Sequence, residues 1–240
     1  MSGLRVAGGP VIPKFGGGTA CLRHNHWFCP SWVRQNWGGT FQPALIQHIE
    51  LTLIVVGIGL AIAFLLALFT YRRPFLNASV GAGADILYTL PSIALFTILV
   101  PITGLEVVTI AIPLVAYTLF VLYRNIVAGL RGVPAEVLES ARGMGLTRRQ
   151  TFLQVELPLA TPAIMAGIRI ATVSTISIAT IGAFFINYGL GKPIFDALGV
   201  ADIFRTELVA AALLTILLAL SADVLLALLQ RVLTPWSRIR

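Results

Sequence analysis

Five stretches of this chain stay uncharged, or nearly so, over the length a bilayer crossing requires. They are Leu51–Phe69, Ile86–Leu105, Val107–Tyr123, Ile170–Gly191 and Leu208–Gln230, the last interrupted only by Asp223. A spanning helix needs about 20 predominantly apolar residues, so each run predicts one crossing. Polar punctuation separates them: Tyr71-Arg72-Arg73-Pro74 after the first, Glu106 after the second and Arg124 after the third. The fourth crossing is expected to begin earlier, near Pro162. The reading is therefore an all-α integral membrane protein with about five transmembrane helices. Residues 1–43 are expected to form a poorly ordered tail, 44–232 the membrane domain, and 233–240 a short C-terminal tail.

Composition supports this class. Hydrophobic residues make up 57% of the chain, charged residues 11%, and mean hydropathy is +0.89. A soluble domain of this length could not cover its surface with so few charges. The net charge of +7 resides almost wholly in arginine, with fifteen Arg against two Lys. In a membrane protein such charge holds loops on the cytoplasmic side, so no nucleic-acid partner is expected.

Arginine placement sets the orientation. With the N-terminus outside, the inner segments hold Arg72, Arg73, Arg124, Arg131, Arg142, Arg148, Arg149, Arg231, Arg238 and Arg240. The outer loops hold only Lys192 and Arg205. Arg5, Lys14, Arg23 and Arg34 oppose this, but they precede the first crossing. In that tail Cys21, His24, His26 and Cys29 form a C-x2-H-x-H-x2-C spacing. Its geometry suits a metal, and an extracytoplasmic tail would also permit a Cys21–Cys29 disulfide. Neither reading is required by the residues, and no metal site is expected. The first thirty residues lack the apolar core of a signal peptide.

One polar segment stands out among the hydrophobic runs. It reads Glu139-Ser140-Ala141, three residues, Gly145, nine residues, then Val155-Glu156-Leu157-Pro158. Pro134 suits the start of a short helix, with Glu136 and Glu139 in its first turns. Val133, Val137, Leu138 and Ala141 fall on one apolar stripe at helical spacing. Gly143 and Gly145 permit a turn, and Thr147 with Gln150 forms a capping box for a second helix. That helix is expected to stop at Pro158. Two short helices about a glycine turn make a compact knob. The stripe is expected to dock on another protein, with Ala141 allowing close approach and Glu139 at the rim.

The segment resembles the cytoplasmic coupling loop of ABC importer permeases, written E-A-A, x3, G, x9, I-x-L-P. Ser140 and Val155 are the two departures. The resemblance extends from Trp37 to about Leu198 and is to permeases that import quaternary amines such as glycine betaine, choline, carnitine and proline betaine. It is carried by Gln47-His48-Ile49-Glu50-Leu51-Thr52-Leu53, Tyr88-Thr89-Leu90-Pro91-Ser92-Ile93-Ala94-Leu95-Phe96, Leu122-Tyr123-Arg124-Asn125, Ala166-Gly167-Ile168-Arg169 and Tyr188-Gly189-Leu190-Gly191. Phe184-Phe185-Ile186-Asn187 replaces the family's small, glycine-rich run.

The resemblance implies a type I ABC importer permease bundle in the plasma or inner membrane. It implies coupling through Glu136, Glu139, Ser140, Ala141, Gly145, Val155, Leu157 and Pro158. The implied partners are a pair of ABC ATPase subunits, a second permease copy or homologue, an extracytoplasmic substrate-binding protein and membrane lipid. No P-loop occurs in this chain, so ATP and magnesium would belong to the ATPase, and the chain itself is expected to be neither an enzyme nor a cofactor carrier. The alternatives are an ABC permease for another small polar solute, or a secondary transporter working without an ATPase. Tyr117, Phe184, Phe185 and Tyr188 are candidates for a substrate pathway or gate, because aromatic faces recognise quaternary ammonium. Asp85, Arg169 and Asp223 are ionisable groups in or near the spans, where isolated ions are expensive. Arg169 is expected to pair with one of the two acids as a structural clamp.

Overall fold

The computed structural model describes residues 21, 24–199 and 203–238. Among these, regular structure is helical throughout, without strands. The helices are α1 Pro30–Thr70, α2 Pro74–Thr89, α3 Ser92–Thr103, α4 Val107–Arg131, α5 Ala135–Gly143, α6 Arg148–Gly182, α7 Gly191–Leu198 and α8 Arg205–Leu233. A 3-10 turn follows at Pro235–Arg238. Four of them, α1, α4, α6 and α8, are long and apolar enough to cross a membrane. The bent pair α2 and α3 meets the same requirement when taken together, as one broken span or a re-entrant loop, so the structure offers four to five crossings.

That pair corrects the straight crossing expected over Ile86–Leu105. The axis turns by 90° between Thr89 and Ser92. Proline supplies no N–H and drives its predecessor out of the helical region. Leu90 accordingly sits at φ −70°, ψ 133°, and Pro91 at φ −61°, ψ 132°. The carbonyl of Leu90, lost to the helix ladder, accepts the Tyr117 hydroxyl from α4.

A second correction concerns the 1–43 tail. Pro30–Asn36 is helical and runs into the first span through one wide turn at Trp37–Phe41. Trp32 and Phe41 pack with Ala210 and Ala211 of α8, which is why this stretch is ordered. Ahead of it Cys21 and Cys29 are joined by a disulfide. Both sulfurs are consumed in that bond, so the motif supplies no thiolate ligand. The closed loop is fastened to the start of α8. Asn25 donates to the Ile203 carbonyl at 2.8 Å and accepts from the Arg205 N–H at 3.1 Å, while Thr206 donates to the His26 carbonyl at 2.8 Å. The remainder of the expected tail, and residues 239–240, lie outside the described residues.

The third correction is at Pro158, which does not stop the helix. A wide turn at Phe152–Glu156 precedes it, and the Leu157 N–H reaches the Phe152 carbonyl, one residue further back than in an α-helix. This shift opens the ladder where proline would lack a donor and clash. The coupling segment therefore continues directly into the fourth crossing.

Helix α4 is the buried centre, with α1 and α6 packed along it. Leu122, Tyr123 and Ile126 anchor one apolar cluster with Ala63, Ala67 and Ala160, near the Glu139–Pro158 loop. Ile110 and Leu114 anchor another at the opposite end with Val55, Phe96 and Ala179. Without a hydrophobic drive between helices in lipid, close backbone approach supplies the packing. At Gly167 a Cβ would lie 2.6 Å from that of Asn125 on α4. At Gly57 and Gly83 it would meet nothing within 4 Å, so the sequence's small residues are not equivalent.

At the far end two phrases distant in sequence meet. Gln47 accepts from the Gly189 N–H at 3.1 Å, and His48 Nδ1 accepts from Leu190 at 3.2 Å. His48 Nε2 donates to the Ile176 carbonyl at 3.1 Å. One neutral tautomer satisfies both contacts.

Gly167→Ala is expected to destabilise the fold by about 1–3 kcal/mol through overpacking against Asn125. Gly57→Ala, with open space around it, is expected to be neutral or slightly stabilising by up to about 1 kcal/mol. Thermal unfolding of the two purified variants in detergent checks the contrast, and equal midpoints would contradict it.

Candidate functional site

The Glu139–Pro158 loop is built by local rules. Pro134 precedes α5 in extended geometry, at φ −58°, ψ 142°. At the other end Gly145 adopts φ +81°. Its N–H reaches the Arg142 carbonyl at 2.9 Å, and the Leu146 N–H reaches Ala141 at 3.2 Å. This is a Schellman ending, which favours glycine because other residues are strained at positive φ. Thr147 then caps α6, accepting from the Gln150 N–H at 3.3 Å while its own N–H donates to Gln150 Oε1 at 2.8 Å.

The expected docking stripe is only partly available. Ala141 and Val133 are buried within the chain itself, so Ala141 packs the knob instead of meeting a partner. Its small side chain is needed inside, beneath the turn. The exposed face carries Glu136, Val137, Glu139 and Ser140, together with Met144, which is 72% exposed. The Ser140 hydroxyl donates to the Glu136 carbonyl at 2.8 Å. Leu157, Pro158 and Val155 are half-buried at the root of α6.

Sequence reasoning gave no role to Glu156, which ties the knob to the first span. Its side chain is 3% exposed. It accepts the Tyr71 hydroxyl at 2.9 Å and forms an ion pair with Arg72. Arg131 Nε in turn donates to the Tyr71 carbonyl at 2.8 Å. The available signal was a carboxylate between apolar Val155 and Leu157, with Tyr71-Arg72 closing the first crossing. Burial, then the Glu156 hydrogen bond and charge, push the Tyr71 phenol up to about 12. It stays a donor at neutral pH. Because the folded value is raised, its contribution is whole below about pH 10 and fades as pH climbs toward about 12. Beside this anchor lies a cavity of about 600 Å³, lined by Arg72, Arg142, Leu146, Arg148, Thr151 and Glu156.

Within the spans, Arg169 pairs with Asp223 across α6 and α8. Nε donates to Oδ1 at 2.8 Å and Nη2 to Oδ2 at 2.9 Å, a two-pronged contact. Asp85 is brought instead to Arg124. The aromatic candidates are dispersed. Tyr117 is buried and holds the α2–α3 bend. Phe185 packs on Phe96, and Tyr188 joins the same cluster. Phe184 is 67% exposed and touches Phe185 and Phe195. The four do not form one cage.

Arg72→Ala would strand a buried carboxylate. The expected loss is about 2 kcal/mol, less than for a fully buried pair because the guanidinium is half in water. Tyr71→Phe, which removes one hydrogen bond, should lose about 1 kcal/mol. Thermal unfolding checks both, and an Arg72→Ala midpoint equal to the parent's would remove the anchor from the account.

Comparison with known proteins places this architecture. Residues 55–235 match the family described as "Binding-protein-dependent transport system inner membrane component". The choline transport system permease protein OpuBB of Bacillus subtilis is 35% identical over 199 residues, 82% of this chain and 90% of that one. The osmoprotectant import permease protein OsmW of Salmonella typhimurium is 36% identical over 194 residues, covering 79% and 89%. Among solved structures, the MetNI methionine ABC transporter, inward facing, aligns with a TM-score of 0.70 at 21% identity, over 80% of this chain and 94% of that one. That likeness concerns the fold alone. A match across most of the chain, with relatives aligned over nearly their whole length, means that this protein belongs to the family of binding-protein-dependent transport system inner membrane components.

Proposed function

We propose that this chain is the permease subunit of an ATP-driven importer for glycine betaine or related quaternary amines. The observation that carries the coupling role is the rigid knob. A Schellman turn and a capping box set its shape, and Glu156 bonds its root to the end of the first span. Movement applied to the knob is thereby passed to α1 and α6 together. Relatives named for choline and osmoprotectant transport support the substrate class.

In this reading the knob lies in the cytoplasm and its exposed face docks on one subunit of an ATPase pair. Glu136, Glu139, Ser140 and Gly145 belong to the docking element, while Ala141, Val155, Leu157 and Pro158 hold it in place. The arginine-lined cavity beside the knob would accept acidic groups of that partner. ATP and magnesium belong to the ATPase. A second permease completes the pathway, and an extracytoplasmic binding protein delivers substrate to the far end, where Phe184 stands exposed.

Two observations support this orientation. Arg72, Arg73, Arg131, Arg142, Arg148 and Arg149 gather at the knob end, as cytoplasmic loops require. The Cys21–Cys29 disulfide lies at the opposite end, and such bonds persist in oxidising compartments.

The direct experiment is uptake of labelled glycine betaine, choline and carnitine by the complex reconstituted with its ATPase and binding protein. ATP-dependent uptake of at least one is expected, and uptake of none would sink the substrate assignment. Gly145→Val tests coupling. A Cβ at Gly145 meets nothing within 4 Å, so the obstacle is the positive φ alone, worth about 1–2 kcal/mol and more for a β-branched residue. Uptake should fall several-fold while membrane insertion persists, with Glu139→Ala milder. Full transport by Gly145→Val would contradict the knob as the lever.

A further inference from the structure

Resting on that functional reading, the geometry points to Arg169 and Asp223 as the contact pair that a zwitterionic substrate meets inside the membrane. Asp223 lies about 27 Å along α8 from Arg205 and about 15 Å from Leu233, at 1.5 Å per residue. A hydrocarbon core of about 30 Å centred on that helix would hold the carboxylate roughly 9 Å below the nearer interface. Yet the Arg169 and Asp223 side chains remain 33% and 37% exposed. An ion pair at this depth is expected to face a bundle interior or a water-filled path, not lipid.

The surroundings fit a path. The pair lines a groove of about 550 Å³ between α6 and α8, whose other walls are Ser174, Ala166 and Ala219 together with the aliphatic Ile170, Val173 and Leu220. Its volume leaves room for a compact solute beside the ion pair. Ser174 also lines a narrow crevice floored by Tyr88 and Tyr117. Tyr88 is 45% exposed, stacks on Phe120 and sits one helical turn from Asp85, itself paired with Arg124. Ser174 is the residue common to the groove and this crevice.

The charge pattern suits the ligand. A betaine carries a carboxylate and a quaternary ammonium a few bonds apart. The Arg169 fork recognises a carboxylate in two-pronged fashion. Asp223 offers a counter-charge to the ammonium. In the resting state the two side chains satisfy each other. Substrate exchanges one ionic partner for another and leaves again when the pair re-forms. Such exchange gives passage without tight binding, which an importer requires.

The test uses the reconstituted complex with Arg169→Gln/Asp223→Asn, a double variant that removes both charges and strands neither. Glycine betaine uptake should fall about tenfold or more. Choline, which has no carboxylate for Arg169, should fall less. Stimulation of ATP hydrolysis by the loaded binding protein should persist. Uptake of both substrates within about twofold of the parent would overturn the proposal. So would equal loss of both together with a lower unfolding temperature, the signature of a structural clamp. A parent complex that transports none of glycine betaine, choline and carnitine would instead refute the functional reading. The second measurement is Ser174→Cys with a membrane-impermeant cationic thiosulfonate. The chain's own cysteines are bonded to each other, so the new thiol is the one that labels on this chain, read from its separated band. Labelling that depends on nucleotide and is slowed by glycine betaine is expected, and no labelling in any nucleotide state would place this groove outside the path.

Discussion

A bilayer core offers no water to a broken backbone, so every interruption of these spanning helices must be satisfied by the protein itself. Much of the tertiary structure answers that one constraint. The bend at Leu90–Pro91 frees a carbonyl, and the Tyr117 hydroxyl takes it. The turn at Tyr188–Leu190 exposes amides, and Gln47 and His48 receive two of them. Pro158 lacks a donor, and the wide turn before it shifts the ladder so that the helix continues. In the first two cases the repair links elements far apart in sequence, whereas the third stays within one helix. Two of the chain's irregular points are therefore also where its helices are joined.

The same constraint explains where charge is found. Glu156 is buried at the root of the loop and is held by a phenol and a guanidinium from the end of the first span. This couples the most polar segment to the apolar bundle without leaving a bare ion inside. Arg169 and Asp223 solve the problem differently, by mutual neutralisation in a partly open groove. The first is a closed anchor suited to transmitting force. The second remains accessible and suited to exchange.

The loop shows how local and tertiary effects divide the work. Its turn and caps follow from glycine at positive φ and from a threonine–glutamine box, both short-range effects. Which side of α5 faces outward is decided by packing. Ala141 turns in against the rest of the chain, and Met144 turns out. A helical stripe identifies an apolar face, but not whether that face is covered by its own chain or by another.

From sequence alone the all-α membrane class, four of the crossings, the knob and its two turn motifs were all legible, because each depends on spacing along one segment. The family was legible for the same reason, in the Glu139–Pro158 spacing. Partner choice was not. Arg169 had two acids within reach by sequence, and only the approach of α6 to α8 selected Asp223 while α4 carried Arg124 to Asp85. The 90° bend was hidden because Pro91 lay in a run apolar enough to read as one straight span. The order of Pro30–Phe41 was hidden too, since it arises from packing on Ala210 and Ala211 rather than from its own glycine-rich composition. Periodicity and turn chemistry are properties of neighbouring residues and survive in the sequence. Contacts between distant segments exist only once helices have packed, so the buried anchor at Glu156 and the Arg169–Asp223 pair belong to the tertiary structure.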